Sequence, residues 1–407
     1  MRNDFQAAIF LVYKYITRGN KGTLILTIIV TTLAFVQINF ISGVLSGAIE
    51  LAHQQAKDNY VSNIVIQPGK DEDYIKQVPL LKNKITSMPG IISCTSRYTI
   101  GSNISYDPDK NGKDVKSISW PIKSINPKEE MRVTNIQNYM VAGKYLEESD
   151  RDQIMMGKEI SGGFGASLEV QSLKGASVGD EVTVYYRNGV TRDYTIKGIY
   201  SVDFPLSDMA VFVTEKEMES VLGVHNRASE ILVKTNQVHT EQYYIQALRE
   251  NGLDKEDIRP WTDFFGLMAG LTQTFGIIKR IVFAIGLVVA GVTIFIVIYI
   301  ATIGRRKQIG IMKAIGMKER IIIVSYIFLA FFYAILGISL GIVLLEVLIK
   351  PYFISHPLNM PVGKVSLMII QGELIASIVC MFVVSIIAGF VPSWRVTKEN
   401  IIKAIWG

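Results

Sequence analysis

The sequence predicts an α-helical membrane protein with four transmembrane helices and a large α/β extracytoplasmic domain inserted between helices one and two. Three observations predict it: four long apolar runs, basic residues gathered at matching ends of those runs, and a long polar stretch of mixed periodicity between the first and second. The runs cover 23–45, 281–303, 321–349 and 368–391. The second carries no charge over 23 positions, and 321–345 carries none over 25. At about 1.5 Å per residue each is long enough to cross a hydrocarbon core of about 30 Å. Composition agrees, with 49% of residues apolar and only 19% charged.

Orientation follows from the basic residues near the run ends. Arg2, Lys14, Arg18 and Lys21 stand against Asp4 before the first run, and Arg395, Lys398 and Lys403 stand against Glu399 in the tail 392–407. The connector 304–320 holds six basic residues and one acid. The positive-inside rule puts all three in the cytoplasm, with 46–280 and the loop 350–367 outside. The expected location is therefore the cell (inner, cytoplasmic) membrane, with both termini cytoplasmic. Residues 23–45 are read as a retained span, because the 22 residues before them exceed a signal-peptide n-region and no A-x-A site follows. Within 1–22, Phe5, Ala8, Ile9, Val12, Tyr15 and Ile16 share a helical face ended by Gly19-Asn20, which predicts an interfacial amphipathic helix.

The inserted region opens and closes with polar helical extensions at 46–57 and 263–278, read as two stalks. Between them, 63–67 reads as a strand, 74–88 as a helix closed by Pro89-Gly90, and 91–106 as extended. Residues 181–196 alternate with period two on both sides of Asn188-Gly189, which predicts a hairpin with a two-residue turn. Strands are expected over 196–200 and 210–213, and helices over 215–222 and 240–251. The cysteines, Cys94 and Cys380, fall in the inserted region and the fourth run, so no disulfide is expected.

Several kinds of chemistry are excluded by context. The chain has no Gly-x-x-x-x-Gly-Lys-Ser/Thr loop to cradle phosphates, so it is not read as an ATP-hydrolysing enzyme. Gly337-Ile338-Ser339-Leu340-Gly341 fits the pattern of a nucleophile elbow, but it lies in an apolar helix rather than at a strand-to-helix turn. It reads instead as a small-residue packing face, as does the pair Gly43 and Gly47. His53, His225, His239 and His356 lack metal-ligand spacing. Glu346 and Glu373 fall near run ends, where a carboxylate reaches water or headgroups rather than a proton path. No catalytic residue, metal site or nucleic-acid partner is expected.

The connector itself is amphipathic. Ile309, Met312, Ile315 and Gly316 recur at near-helical spacing, so this element must meet lipid or another protein. Its segment Arg305-Arg306-Lys307-Gln308-Ile309-Gly310-Ile311-Met312-Lys313-Ala314-Ile315-Gly316 resembles the Arg-x-x-Glu-Ile-Gly-x-x-Arg/Lys-Ala-Leu/Ile-Gly element of the MacB, LolC/LolE and FtsX type of ATP-binding-cassette permeases, the mechanotransmission family. Pro392-Ser393-Trp394-Arg395-Val396 with Ala404 is similar to the family's closing Pro-x-x-Arg-Ala segment. Ser124–Glu130, Gly143–Leu146, Ile154–Gly157 and Val178–Asp180 follow an order similar to that of lipoprotein-releasing permeases. Gln308 departs from the family's Glu.

The resemblance implies a permease subunit that couples ATP hydrolysis by a separate cytoplasmic ATPase to movement of its external domains, for export or membrane extraction of a lipophilic or peptide-like substrate such as a lipoprotein. The alternative it leaves open is a non-transporting, FtsX-like protein that signals to an external partner. It further implies a homodimer or a heterodimer with a paralogous permease in the lipid bilayer, and leaves room for an extracytoplasmic adaptor or carrier protein. ATP and Mg would bind to the ATPase and not to this chain. On the same basis the connector is a coupling helix in which Gly310 and Gly316 allow close approach, Ile309, Met312 and Ile315 fill apolar sockets, and Arg305, Arg306 and Lys313 meet acidic groups.

Overall fold

The structure is a computed structural model that describes residues 2–164, 172–236, 240–264, 266–360 and 363–398. His239 and the tail beyond 398 therefore lie outside the described residues. The chain divides into two compact units. One comprises 1–48, 273–358 and 365–407, the other 49–272 and 359–364.

The chain opens with α1 (Arg2–Arg18) and turns at Gly19-Asn20 into α2 (Lys21–Ala56), an unbroken helix that covers both the first span and the polar extension expected after it. Asn20 starts α2: its Oδ1 accepts the backbone N–H of Gly22 at 2.9 Å, the usual service of an N-cap.

The α/β unit is built from β1 (Ile64–Gln67), α3 (Val78–Thr86), β2 (Ile91–Arg97), β3 (Thr99–Tyr106), β4 (Lys116–Ile125), α4 (Pro127–Val133), β5 (Met140–Gly143), β6 (Gln153–Gly157), β7 (Glu181–Tyr186), β8 (Thr191–Tyr200), β9 (Val211–Thr214), α5 (Glu215–Leu222), β10 (Glu230–Thr235), α6 (Glu241–Glu250) and β11 (Asp257–Pro260). An antiparallel sheet has the order β11-β1-β10-β2. The second sheet runs β5-β8-β6-β9-β4-β3-β7, and β7 also pairs with β8, closing six strands into a barrel with β5 outside the ring. Alternation explains the barrel interior: Val182, Val184 and Tyr186 of β7 are buried while Glu181 and Tyr185 are exposed, and Tyr194 and Ile196 of β8 join them inside. The other sheet packs Ile64, Ile66, Ile231 and Val233 against Val78 and Ile85 of α3 and Ile245 and Leu248 of α6.

Three expectations change here. The helix expected over 74–88 starts only at Val78, because Pro79 belongs in a first turn and Ile75–Lys76 instead pairs with Arg227–Ala228. The extended stretch 91–106 is two strands; at Tyr98, whose N–H donates to Ser124 Oγ at 2.9 Å, the chain leaves the open sheet and enters the barrel. The hairpin at Asn188-Gly189 forms, but only Gly189 has positive φ, +87°. Gly189 N–H bonds Tyr186 O and Tyr186 N–H bonds Val190 O, each at 2.9 Å, which makes a three-residue loop with glycine in the left-handed position rather than a two-residue turn.

The remaining helices are α7 (Gly266–Ile303), α8 (Arg306–Ala314), α9 (Glu319–Val343) and α10 (Gln371–Thr397). Among the described residues four helical stretches are long and apolar enough to cross a membrane: Lys21–Val61, Thr272–Ile303, Glu319–Ser355 and Gln371–Thr397. Lys350–Ser355, expected in a loop, continues the third, and a short two-stranded hairpin follows it. The fourth does not stop before Pro392. Helix α10 runs through it to Thr397, with the Ser393 hydroxyl donating to Gly389 O at 2.7 Å and that of Thr397 to Ser393 O at 2.9 Å. Packed neighbours and such hydroxyls make an interior proline tolerable in an apolar helix.

The two glycine pairs do different things. A Cβ on Gly337 would lie 2.7 Å from Thr31 Cγ2, and one on Gly341 2.6 Å from Phe35 Cδ1, so this face brings α9 against α2. Gly43 and Gly47 admit no helix. They make room for the extended segment 365–368, with Ser366 O only 2.1 Å from a Cβ built on Gly47 and Met368 N–H bonding Gly43 O at 3.1 Å. On α1, Ala8 and Tyr15 point inward as expected, but Ile9 is exposed. Lys279 pairs with Glu373 and donates to Ser46 Oγ at 2.8 Å, joining α7, α10 and α2.

Candidate coupling site

The connector folds as a short helix with a defined stop. At the end of α8, Gly316 N–H bonds Lys313 O and Met317 N–H bonds Met312 O, both at 3.0 Å, while Gly316 takes φ +93°. This is the paired bonding of a Schellman end, which favours glycine at that position because a side chain there is strained. A Cβ on Gly316 would meet nothing within 4 Å. Its glycine therefore serves the helix stop, where the sequence suggested close approach of a partner.

The connector residues divide by exposure. Ile309 and Gly310 are buried, with Ile309 at 1% exposure in a cluster with Tyr15, Ile298, Ile322 and Tyr326, and Met312 packs against the same cluster. Gln308, Ala314 and Ile315 are exposed, Ile315 by 75%. The face expected to fill sockets, Ile309, Met312 and Ile315, is thus not one face. The helix ends at Ala314, so Ile315 stands beyond it while the other two anchor α8 to the spans. The exposed surface is instead Lys307, Gln308, Ile311, Ala314 and Ile315. Lys307 and Ile311 were missed, although the four-residue step from 307 to 311 to 315 is visible in the sequence.

The basic residues also divide. Lys313 Nζ donates to Thr397 O at 2.5 Å and pairs with Glu319 at 2.9 Å, tying α8 to the end of α10 and the start of α9. Arg305 lies over the Tyr15 ring, 4.3 Å from its centroid. Arg306 is half-buried and Lys307 exposed. What the arrangement offers is a rigidly seated helix with an apolar patch, Ile311 and Ile315, beside polar and basic neighbours.

Residues 280–401 match the FtsX-like permease C-terminal family. An uncharacterised ABC transporter permease of Methanocaldococcus jannaschii is 34% identical over 130 residues, which cover 30% of this chain and 31% of the relative. A probable export ATP-binding/permease protein of Pseudomonas fluorescens is 22% identical over 134 residues, 33% of this chain and 20% of the relative. The chain thus spans about a third or less of the length of these relatives. Among solved structures, the periplasmic region of MacB from Actinobacillus actinomycetemcomitans is similar with a TM-score of 0.36 at 12% identity, over 53% of this chain and 95% of that one. The extracellular domain of the noncanonic ABC-type transporter YknZ from Gram-positive bacteria gives 0.34 at 13% identity, over 49% and 97%. With four helices long and apolar enough to cross a membrane and the seated connector between α7 and α9, the chain is read as a membrane protein, and its residues 280–401 carry an FtsX-like permease C-terminal domain.

Proposed function

We propose that this chain is the membrane subunit of an ABC complex in which a separate cytoplasmic ATPase engages the exposed face of α8. The observation that carries the reading is the double character of that helix. Ile309, Met312 and Lys313 fix it to α9 and α10, while Ile311 and Ile315 remain uncovered at its far side. A helix seated this way moves the spans when it is pushed, which is what coupling requires. Arg306, Lys307 and Gln308 flank the apolar patch and give it polar contacts for a partner surface, and the small Ala314 beside them lets that surface approach. Of the expected contact set, Gly310 and Ile309 act from beneath.

In this reading the termini and α8 are cytoplasmic in the cell membrane, the α/β unit is outside, and two copies, or one copy with a paralogue, make the membrane part. ATP and Mg are held by the ATPase, whose closure displaces α8 and, through α2 and α7, the external unit. The cargo is a lipophilic or peptide-like molecule such as a lipoprotein, handled outside or at the outer leaflet. A regulator built on the same frame would answer to an external protein partner rather than to cargo.

Ile315→Asp tests the coupling face. The variant is expected to insert and fold normally yet to lose co-purification with the ATPase, or to separate ATP hydrolysis from cargo movement. Unchanged transport by Ile315→Asp and Ile311→Asp together overturns the assignment. In the reconstituted complex, stimulation of ATP hydrolysis by cargo supports the transporter, and stimulation only by an external protein supports the regulator. Orientation is read separately from single cysteines at Lys113 and Lys313 in a chain lacking Cys94 and Cys380: an impermeant thiol reagent outside is expected to label the first and not the second.

A further inference from the structure

Where α1 turns into α2, a cavity of about 270 Å³ opens between that turn, the junction of α7 and α8, and α9. Its polar lining consists largely of hydrogen-bond donors. Arg305 enters from the α7–α8 junction, reaching across the Tyr15 ring until its Nη2 would lie 3.2 Å from a Cβ on Gly19. No carboxylate pairs with Arg305 among the described residues, and none of the lining residues is acidic. The hydroxyls of Tyr15 and Tyr326 are buried, on side chains 9% and 0% exposed, close to each other and to Arg305 but without a hydrogen bond of good geometry. Asn20 spends its oxygen capping α2, which leaves its Nδ2 as a further donor at the mouth.

A half-buried guanidinium with no carboxylate partner and two buried hydroxyls without a well-formed hydrogen bond cost free energy unless a ligand accepts from them. The set calls for an anion with several acceptor oxygens, and arginine's planar fork suits the oxygens of a phosphate. The position at the N-terminus of α2, a 36-residue helix, adds a favourable field for negative charge. The remaining walls, Leu24, Val297, Ile300 and Leu329, are apolar. They suit the glycerol and first methylenes of an amphiphile better than a free ion.

We propose that this cavity binds a phosphate group, and that its source is the headgroup of an anionic phospholipid, held by Arg305 with Tyr15, Tyr326 and Asn20. Arg305 then anchors the α1–α2 turn to lipid and does not contact an ATPase. The proposal stands whether or not α8 is a coupling helix.

The test uses the full-length protein, purified and delipidated in detergent, with native mass spectrometry for adducts and thermal unfolding for ligand-induced stabilisation. The probes are dioleoylphosphatidylglycerol, dioleoylglycerol and inorganic phosphate. Phosphatidylglycerol is expected to bind and stabilise, and dioleoylglycerol is not. Arg305→Gln is expected to weaken that binding about tenfold or more, the effect of deleting a hydrogen bond to a charged group. Lys307→Gln, an exposed neighbour outside the cavity, is expected to leave it unchanged. Tyr326→Phe guards against misfolding: removing an oxygen without a well-formed hydrogen bond is expected to leave the lipid-free protein as stable or more so, while the stabilisation by phosphatidylglycerol falls. Equal losses in Arg305→Gln and Lys307→Gln mean diffuse attraction and overturn the site. Equal binding of dioleoylglycerol overturns the role of phosphate. Arg305-dependent binding of inorganic phosphate with no phosphatidylglycerol adduct overturns the lipid as its source.

Discussion

Arg97 and Glu130 form an ion pair from which water is excluded on both sides, each side chain being 0% exposed. Arg97 also donates to Tyr60 O at 2.7 Å, and Glu130 accepts from the Thr134 hydroxyl at 2.8 Å. Glu230, 3.8 Å from Arg97, pairs with Lys123 at 2.9 Å. Burial works against the charge of Glu230, but Lys123 and Arg97 beside it hold its carboxyl below the usual range. The four groups lie where the chain passes from the open sheet to the barrel, joining β2 and β10 to β4 and α4.

Breaking one side of this pair leaves a buried charge alone. Glu130→Ala is therefore expected to cost about 3–5 kcal/mol, whereas Arg97→Met with Glu130→Leu costs far less because neither charge remains. Denaturant unfolding of the two variants against the parent checks it. Equal destabilisation by the single and the double change refutes it.

The glycine face between α9 and α2 gives a second expectation. Gly341→Ala places a methyl 2.6 Å from Cδ1 of Phe35, which is fully buried. Overpacking of this kind costs about 1–3 kcal/mol. Phe35→Leu in the same chain frees room and should restore part of the loss, measured as the thermal unfolding midpoint in detergent. Gly43→Ala should not respond to Phe35→Leu, because its neighbour is Leu367.

Asp208 supplies a pH dependence. Burial pushes its carboxyl up to about 6, against the hydrogen bonds it accepts from Val202 N–H at 2.7 Å and Ser201 Oγ at 2.8 Å and against Lys158 at 3.7 Å. A raised acid pKa means that the folded protein holds this proton more tightly than the unfolded chain, whose aspartate titrates near 3.9. Its contribution is therefore lost as pH rises from about 4 to about 6, by on the order of 3 kcal/mol. Asp208→Asn removes that slope. The gap between variant and parent in unfolding midpoint should widen in the variant's favour from pH 4 to pH 6.5, and a constant gap refutes the assignment.

How much of this was legible in the sequence depends on the range of the interaction. The spans, the α1–α2 break at Gly19-Asn20, the continuity of α2 to Ala56 and the place of the 188–189 loop are local, and the residues declare them. Closure of the barrel needs β7 to meet both β3 and β8, pairings whose partners lie about 80 residues apart in one case, and alternation alone does not choose them. Arg97 and Glu130 read as ordinary surface charges until the fold buries them together. At the connector, apolar spacing located a helix but not its inward face, because Ile309, Ile311, Met312 and Ile315 offer two overlapping stripes. Only packing against Tyr15, Ile322 and Tyr326 selects one. Pro392 suggested a helix end for the same reason: the neighbours that make it tolerable are distant in sequence.

The polar ends of α2 and α7 carry the last expectation, which rests on the proposed transmission of motion. Ala52 is 4% exposed inside α2, and Thr272 lies within α7 with its hydroxyl 3.3 Å from His53 Nε2. In that proposal, a displacement starting at α8 reaches the α/β unit only while both helices stay continuous. Proline inside a helix costs about 3 kcal/mol and kinks it. Ala52→Pro and Thr272→Pro should therefore depress cargo movement in the reconstituted complex far more than ATP binding, while Thr272→Ala, which keeps the helix and loses only the His53 contact, should be nearly silent. Normal cargo movement by both proline variants at normal expression would mean that the external unit moves independently of the helices that lead to it.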